Sequence, residues 1–279
     1  MNFLITGGNG FIARELTDFL KNDGHLILSP ARQNLDVCDF KQVDNFFLNN
    51  PIDIVIHTAI KGGKRLREDL PLDVFDNLIM FNNLAAHSHQ FKLMINVGSG
   101  AAFDRTKPIL FSGEKSLFER NPKDYYGLSK NLIAKRIVNL NSNIVNLRLF
   151  GCFGKKEKET RLFKSTITNF NAGKPAILHQ DKLMDYFYVG DLYRVVCHCV
   201  QNYDSLPFKD VNLCYSTKKT LKEMIFLIKN LTGTDADVII EKKEMGLSYT
   251  GSSEKLNSFN LPLVGLERGI KEMLENYET

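Results

Sequence analysis

The sequence predicts an α/β protein built on a doubly wound parallel sheet, with a smaller lobe toward its C-terminus. Three observations predict it. The N-terminus runs from a short apolar strand through a glycine-rich turn into a helix. Apolar strands then alternate with amphipathic helices through residue 150. Beyond that point the alternation becomes irregular, which sets the expected division at residues 1–155 and 156–279, with part of 180–215 returning to complete the sheet.

The first strand is the apolar run Phe3-Leu4-Ile5, and Gly7, Gly8 and Gly10 follow it closely. Phe11, Ile12, Leu16, Phe19 and Leu20 then recur at helical spacing. Such a unit cradles anions: glycines let backbone amides and the helix N-terminus approach a pyrophosphate. Gly7 and Gly10 line the turn, and Ala13 sits where helix and strand must pack closely. The spacing G-x-x-G-x-x-A departs from the plain dinucleotide fingerprint but leads to the same Rossmann-like expectation. Leu26–Leu28 is the second strand. An acid commonly follows this strand in NAD-binding sheets and holds the ribose diol; here the first charge is Arg32. That substitution favours NADP(H), with Arg32 on the 2′-phosphate and Asp36 and Val37 bordering the adenine, and leaves NAD(H) possible. A solvated surface arginine is the competing reading. Asp39 caps the helix carrying Val43, Phe46 and Phe47.

Ile52–His57 is a near-continuous apolar strand, as expected in a sheet covered on both faces. It ends in Thr58-Ala59-Ile60, small enough for a cofactor to pass, and in the loop Lys61-Gly62-Gly63. The spacing predicts a helix over about Leu72 to Gln90 that buries Val74, Leu78, Phe81, Leu84 and Ala85. Asn77 lies inside it and needs a polar partner. Leu93–Val97 is the next strand, ending at Gly98-Ser99-Gly100. A helix begins near Asp124-Tyr125, Ile144–Leu149 is a strand, helices span Thr160–Gly173 and Thr220–Thr232, and short strands lie near Ala176–Leu178 and Val238–Ile240.

Composition excludes several classes. Of 279 residues, 43% are hydrophobic and 24% charged, ordinary for a globular protein, and the net charge of +4 is scattered, which argues against nucleic acid as a partner. No apolar run has the length of a membrane span, and Met1 leads directly into the first strand without a signal-peptide layout. The five cysteines have no framework spacing, and Cys197-His198-Cys199 lies in a helical run without a second cluster. Burial of small thiols outweighs a metal site, and no metal is expected. A reduced, cytoplasmic protein follows as the expectation.

Tyr126 and Lys130 are spaced to share one helix face a turn apart. An ammonium beside a phenol favours the phenolate, and a phenol so tuned can give a proton to a carbonyl oxygen receiving hydride. Ser99, at a strand end, can hydrogen-bond the same oxygen. Tyr-x-x-x-Lys alone is common and mostly a surface pair; the three pieces in this order are specific.

With them the chain resembles the extended short-chain dehydrogenase/reductase superfamily, in its NAD-dependent epimerase/dehydratase branch, through TGGNGFIA (6–13), GSGAAF (98–103), YYGLSK (125–130), LRLFGCFG (147–154) and MDYFYVGD (184–191). The resemblance covers nearly the whole chain. It implies Tyr126 as proton donor, Lys130 lowering its pKa and holding the nicotinamide ribose, and Ser99 on the reacting oxygen. It further implies cofactor contacts from Gly7, Gly10, Phe11, Ile12, Arg32, Asp36, Val37, Thr58, Ala59, Lys61 and Asn77. Substrate contacts are expected from Lys61, Ser99, Gly100, Lys164 and Lys182. Most members act on nucleotide-activated sugars, and the likeness is to GDP-fucose synthase-like 4-ketoreductases.

Departures narrow the activity. Gly100 and Ala101 replace the Asp-Glu pair of sugar dehydratases. Ala101 and Lys156 replace the Cys and His that the fucose-synthase type uses for epimerisation. Met184 stands where an arginine often precedes Asp185, with Lys182, Arg161 or Lys164 to compensate, and Gly151 replaces an asparagine. The expected activity is NADPH-dependent reduction of the C4 keto group of a nucleotide-activated, 6-deoxy sugar. The alternatives are an NAD-dependent C4 epimerase and a catalytically idle NADP-binding regulator. The resemblance also implies a homodimer paired through the Leu72–Gln90 and Tyr126–Leu140 helices.

Overall fold

The computed structural model describes residues 1–63 and 68–275. Its centre is a six-stranded sheet in the order β2-β1-β3-β4-β6-β10, every neighbouring pair parallel. The strands are β1 (Asn2–Thr6), β2 (Leu26–Leu28), β3 (Ile54–His57), β4 (Leu93–Ser99), β6 (Ile144–Leu149) and β10 (Asp210–Leu213). This all-parallel α/β arrangement is the fold class expected from the alternation of elements.

The alternating side chains of β1 show why the sheet is covered twice. Phe3 and Ile5 enter the core on one face with α1 (Phe11–Asn22), α5 (Leu162–Asn171), α6 (Val189–Gln201), α7 (Leu221–Thr232) and α9 (Gly265–Glu275). Leu4 enters the opposite core with α2 (Phe40–Asn49), α3 (Pro71–Ala86) and α4 (Tyr125–Asn139). All three residues are fully buried. Each such side chain contributes about 1.5–3 kcal/mol of transfer free energy, so no helix can leave its face without exposing its strand partners.

Chain order reverses beside β1: the chain goes to β2 on one side and returns to β3 on the other. The crevice at that reversal, beyond the strand C-termini, is where ligands of such sheets bind. Register places functional residues there. Thr6 lies beside His57 and His57 beside Asn96, but β4 continues three residues farther and carries Ser99 past the end of β3, level with Leu149 at the end of β6.

The remaining strands pair two by two. β8 (Ala176–Gln180) pairs in parallel with β11 (Val238–Lys242), and β7 (Cys152–Phe153) with β9 (Phe187–Tyr188). β5 (Ile109–Ser112) pairs with β12 (Tyr249–Gly251), and α8 (Glu254–Asn257) follows. β10 is fixed by a buried polar network: Arg148 donates to Asp210 at 2.6 Å and Asn212 at 2.8 Å, and Asn146 donates to Asp210 at 2.6 Å. Such a network holds only while every member keeps its partner.

The predicted long helix differs in detail. α3 ends at Ala86, followed by a 3₁₀ turn over Ser88–Gln90. Its buried stripe is Asp73, Asn77, Met80, Phe81 and Leu84, while Val74, Leu78 and Ala85 are only half-buried. The cause is its N-terminal half, which presses polar groups against the loop after β3 rather than apolar ones against the sheet. β5 was not expected; it lies in a stretch whose Lys, Pro and Asn content reads as loop.

Candidate active site

The glycine turn is built as an anion cradle. Gly7 has φ +73°, and a Cβ there would come 2.9 Å from the backbone of Ala59. α1 starts at Phe11, and Gly10 before it offers no side chain to cap its first turn, so its leading amides are open to a ligand. Two clefts extend from this turn. One, of about 170 Å³, is lined by Gly7, Arg32, Asp36, Val37, Ala59 and Lys61. The other, of about 290 Å³, is lined by Gly10, Phe11, Ile12 and Thr58 together with Ser99, Tyr126 and Lys130. Ile60 lines both, so the clefts meet over the strand ends.

The structure therefore brings the phenol, the amine and the alcohol together. Asp124 caps α4 by accepting from the Gly127 amide at 2.7 Å, which starts the helix one residue before Tyr126. Ser129 donates to the Tyr126 carbonyl at 2.8 Å, and Asn77 donates to Ser129 at 3.1 Å. Asn77 also accepts from the Lys61 amide at 2.8 Å and donates to the Lys61 carbonyl at 3.0 Å. Its partners are thus all protein groups; it lines neither cleft and ties the loop after β3 to α4. Gly63, at φ +66°, lies flat against the Tyr126 ring, where a Cβ would come within 2.8 Å.

The electrostatics differ from the simple picture of a lysine acidifying its neighbour. Lys130 is buried and its ammonium donates to the Val97 carbonyl at 2.7 Å. Burial pulls its pKa down to about 8. Tyr126 is raised above the usual phenol value by burial, opposed by a hydrogen bond with Ser99 and by the charge of Arg105. Lys130 is drawn to the Val97 carbonyl of β4, and the groups favouring the phenolate are Ser99 and Arg105. Arg105 pairs with Asp124 at 2.7 Å. No spacing rule points to it, because it lies in the loop after Ser99. His57, beneath the site, bonds Thr6 at 2.8 Å and is held neutral by burial, its pKa near 3.

The expected substrate residues are dispersed. Gly100 is buried against the Phe150 ring, where a Cβ would come within 2.5 Å. Lys61 pairs with Asp76 and lines the Arg32 cleft. Lys164 pairs with Glu159 at 2.7 Å, in a surface cleft with Arg14 and Lys156. Lys182 holds its ammonium 5.7 Å from the centre of the Tyr249 ring. Arg161, in contrast, lines the Ser99–Tyr126 cleft. Lys156 pairs with Asp18, and Ala101 is buried.

A model of the NAD dependent epimerase/dehydratase family matches residues 3–214. The chain belongs to that family. Among the family's relatives, GDP-L-colitose synthase of Yersinia pseudotuberculosis is 20% identical over 270 residues, covering 88% of this chain and 86% of that protein. The NADP-bound GDP-mannoheptose C4 reductase of Campylobacter jejuni superimposes with a TM-score of 0.84 at 20% identity, over 100% of this chain and 98% of that one. A dTDP-4-dehydrorhamnose reductase of Clostridium acetobutylicum superimposes with a TM-score of 0.81 at 21% identity, over 100% of both chains. Among the described residues, no helix of this family member is long and apolar enough to cross a membrane.

Proposed function

We propose that the protein is an NADPH-dependent reductase of the C4 keto group of a nucleotide-activated, 6-deoxy sugar, with Tyr126 as proton donor. The observation that carries the reading is the convergence of Ser99, Tyr126 and Lys130 in a cleft that joins the Arg32 cleft at Ile60. The named relatives support it, being reductases or synthases of nucleotide sugars.

The residues present fit NADPH. Its pyrophosphate belongs at the uncapped start of α1, its adenosine beside Asp36 and Val37, and its 2′-phosphate at Arg32. Arg32 is 64% exposed and pairs with Asp36 at 2.9 Å, an exposed ion pair worth so little that the guanidinium is available to a phosphate. Lys130 belongs with the nicotinamide ribose. NADPH supplies a hydride to the carbonyl carbon; the protein supplies the rest. Ser99 binds the carbonyl oxygen, and Tyr126 gives it a proton as negative charge develops there. Burial keeps Tyr126 protonated before the reaction, as a proton donor requires. The positions needed for fucose-synthase-type epimerisation hold a buried alanine and an ion-paired lysine, so hydride transfer is the chemistry left intact.

The test is a panel of GDP-, dTDP-, UDP- and CDP-linked 4-keto sugars with NADPH and NADH, followed by nicotinamide absorbance and product stereochemistry. Oxidation of NADPH with one 4-keto sugar is expected, and Tyr126→Phe should cut turnover by about 10²–10⁴ with NADPH binding retained. A purified protein that carries bound NAD and inverts C4 without consuming NADPH is a C4 epimerase instead. We further infer a cytoplasmic homodimer paired through α3 and α4, whose outer faces carry exposed apolar side chains, Leu72 and Phe75 among them.

A further inference from the structure

Two cations line the cleft that holds Ser99 and Tyr126, and the proposed reaction employs one of them. Lys130 donates to the Val97 carbonyl and belongs with the nicotinamide ribose. The other is Arg161, the residue immediately before α5. No side chain caps that helix, so the partial positive charge of its start adds to the guanidinium. Arg161 Nη2 donates to the Cys152 carbonyl of β7 at 3.0 Å, which anchors the fork at the cleft wall. Its Nε lies 3.3 Å from Oε2 of Glu157, a carboxyl whose side chain is fully buried. Oε1 of the same carboxyl accepts from the Lys164 amide at 2.9 Å, so Glu157 ties the turn before α5 to the first turn of the helix. A guanidinium carries more N–H donors than these two contacts use, and Arg161 is still 41% exposed. The rest of its fork is available to a ligand in the cleft.

We propose that Arg161 binds the diphosphate of the nucleotide sugar, and that Glu157, on the other edge of the same guanidinium, makes this binding proton-linked. The proposal rests on the reading of the substrate as a nucleotide-activated sugar. The diphosphate is that substrate's strongly anionic part, and the other lysines considered for it lie elsewhere: Lys164 pairs with Glu159, and Lys182 sits over the Tyr249 ring. An ionised Glu157 and a bound diphosphate are like charges sharing one cation, so each disfavours the other. The bound state therefore holds more of its Glu157 in the protonated form, and binding takes up a proton. Burial has already brought Glu157 to about 7 in spite of Arg161 and Lys164, which sets the competition in the neutral range. The sign follows: affinity is highest below about pH 7 and falls as the acid ionises above it. The charged neighbours of Glu157 are Arg161 and Lys164 at the start of α5, Arg14 and Glu15 on α1, and Lys155, Lys156, Lys158 and Glu159 on its own loop. Burial also raises Glu15, and Lys130 in the cleft titrates near 8. Replacing Glu157 alone separates its contribution from theirs.

The test is calorimetric titration of the NADPH-bound protein with nucleotide sugars that have no keto group, so that nothing turns over: GDP-mannose, dTDP-glucose, UDP-glucose and CDP-glucose. Their phosphates are diesters, whose charge does not change near neutral pH. Wild type should bind one of them. Arg161→Gln should weaken that binding about 10- to 100-fold, the size of a lost charge-assisted contact, and leave NADPH and the matching nucleoside bound as before. Arg161→Lys, which keeps the charge and loses the fork, should recover part of the loss. Between about pH 6 and 7.5 the wild-type affinity should fall about threefold, with proton uptake on binding. Glu157→Gln should remove that slope and keep the tighter, low-pH affinity throughout. Unchanged affinity in Arg161→Gln, or an equal loss for the nucleoside, overturns the assignment of Arg161. A slope that survives Glu157→Gln overturns the proton linkage. Failure of the underlying reading looks different: wild type would bind none of the four sugars, and the proposal would fall with it.

Discussion

Arg32 and Lys130 bracket the proposed cofactor, and each gives a measurable consequence at the scale of a single side chain. Removing the guanidinium in Arg32→Gln costs the 2′-phosphate a charge-assisted contact of about 1.5–3 kcal/mol. NADPH affinity should fall about 10- to 100-fold while NADH affinity stays level, as paired fluorescence titrations would show; equal losses would place Arg32 away from the phosphate. For Lys130 the relevant quantity is pH. Its pKa near 8 means that the ammonium is lost as pH rises through that value, and the ammonium is the form that donates fully to ribose hydroxyls. Cofactor binding then draws in a proton, so NADPH affinity should be flat below about pH 8 and fall by up to about tenfold per unit above it. Lys130→Met should bind weakly with no such slope. These two residues show what was legible in the chain. The place of Arg32 in the cleft beside Gly7 was readable because a missing acid after β2 is a local signal. Lys130 was readable as sharing a helix face with Tyr126, and both line one cleft, but its bond to Val97 and its depressed pKa depend on burial against β4. Arg105 gave no signal: it reaches the site through tertiary packing, from a loop and through its pair with Asp124.

At the scale of elements, the turn joining β7 to α5 combines structure with titration. Glu157 is buried; it accepts from the Lys164 amide at 2.9 Å, and Arg161 approaches it at 3.3 Å. Burial raises its pKa to about 7 in spite of both cationic neighbours. The folded protein therefore holds a proton here, between about pH 4.5 and 7, that the unfolded chain has released. The sign follows: this contribution to stability is complete below about pH 4.5 and is lost as pH rises through 7. Its size is about 3 kcal/mol at most. Denaturant titrations should find Glu157→Gln less dependent on pH across that window than wild type, and at least as stable above it. A wild-type midpoint that rises from pH 4.5 to 7 by this route, or a variant with the same slope, would contradict the argument. Elements with strong periodicity or sharp punctuation were legible: β1 with its glycine turn, the Asp39 cap of α2, and β8 and β11. The polar half of α3 was not, because Asp73 and Asn77 are satisfied by partners in a loop that periodicity cannot place. β5 was hidden because its pairing partner, β12, lies near the other end of the chain.

For the molecule as a whole, the sheet is closed on both faces, yet α3 and α4 leave apolar side chains outside. Leu72 is 61% exposed, Phe75 59%, Tyr125 40%, Val138 37% and Leu132 36%. The two helices pack against one another over the same core, so these side chains belong to the outward sides of neighbouring helices. Scattered exposed leucines need no explanation, but several on two adjoining helices form the kind of patch that a second copy covers. A two-fold pairing would set the same helices against themselves and give a self-complementary four-helix contact. The site has a stake in this contact, because α4 carries Tyr126 and Lys130 and α3 carries Asn77. Light scattering at micromolar concentration should therefore find twice the chain mass in wild type and a single chain in Leu72→Glu combined with Phe75→Glu. The charged variant should keep its circular dichroism, since neither residue is in the core, but lose turnover through looser support of α4. A wild-type protein that runs as a monomer would leave the patch to some other partner; a variant monomer with full turnover would show that each active site stands alone.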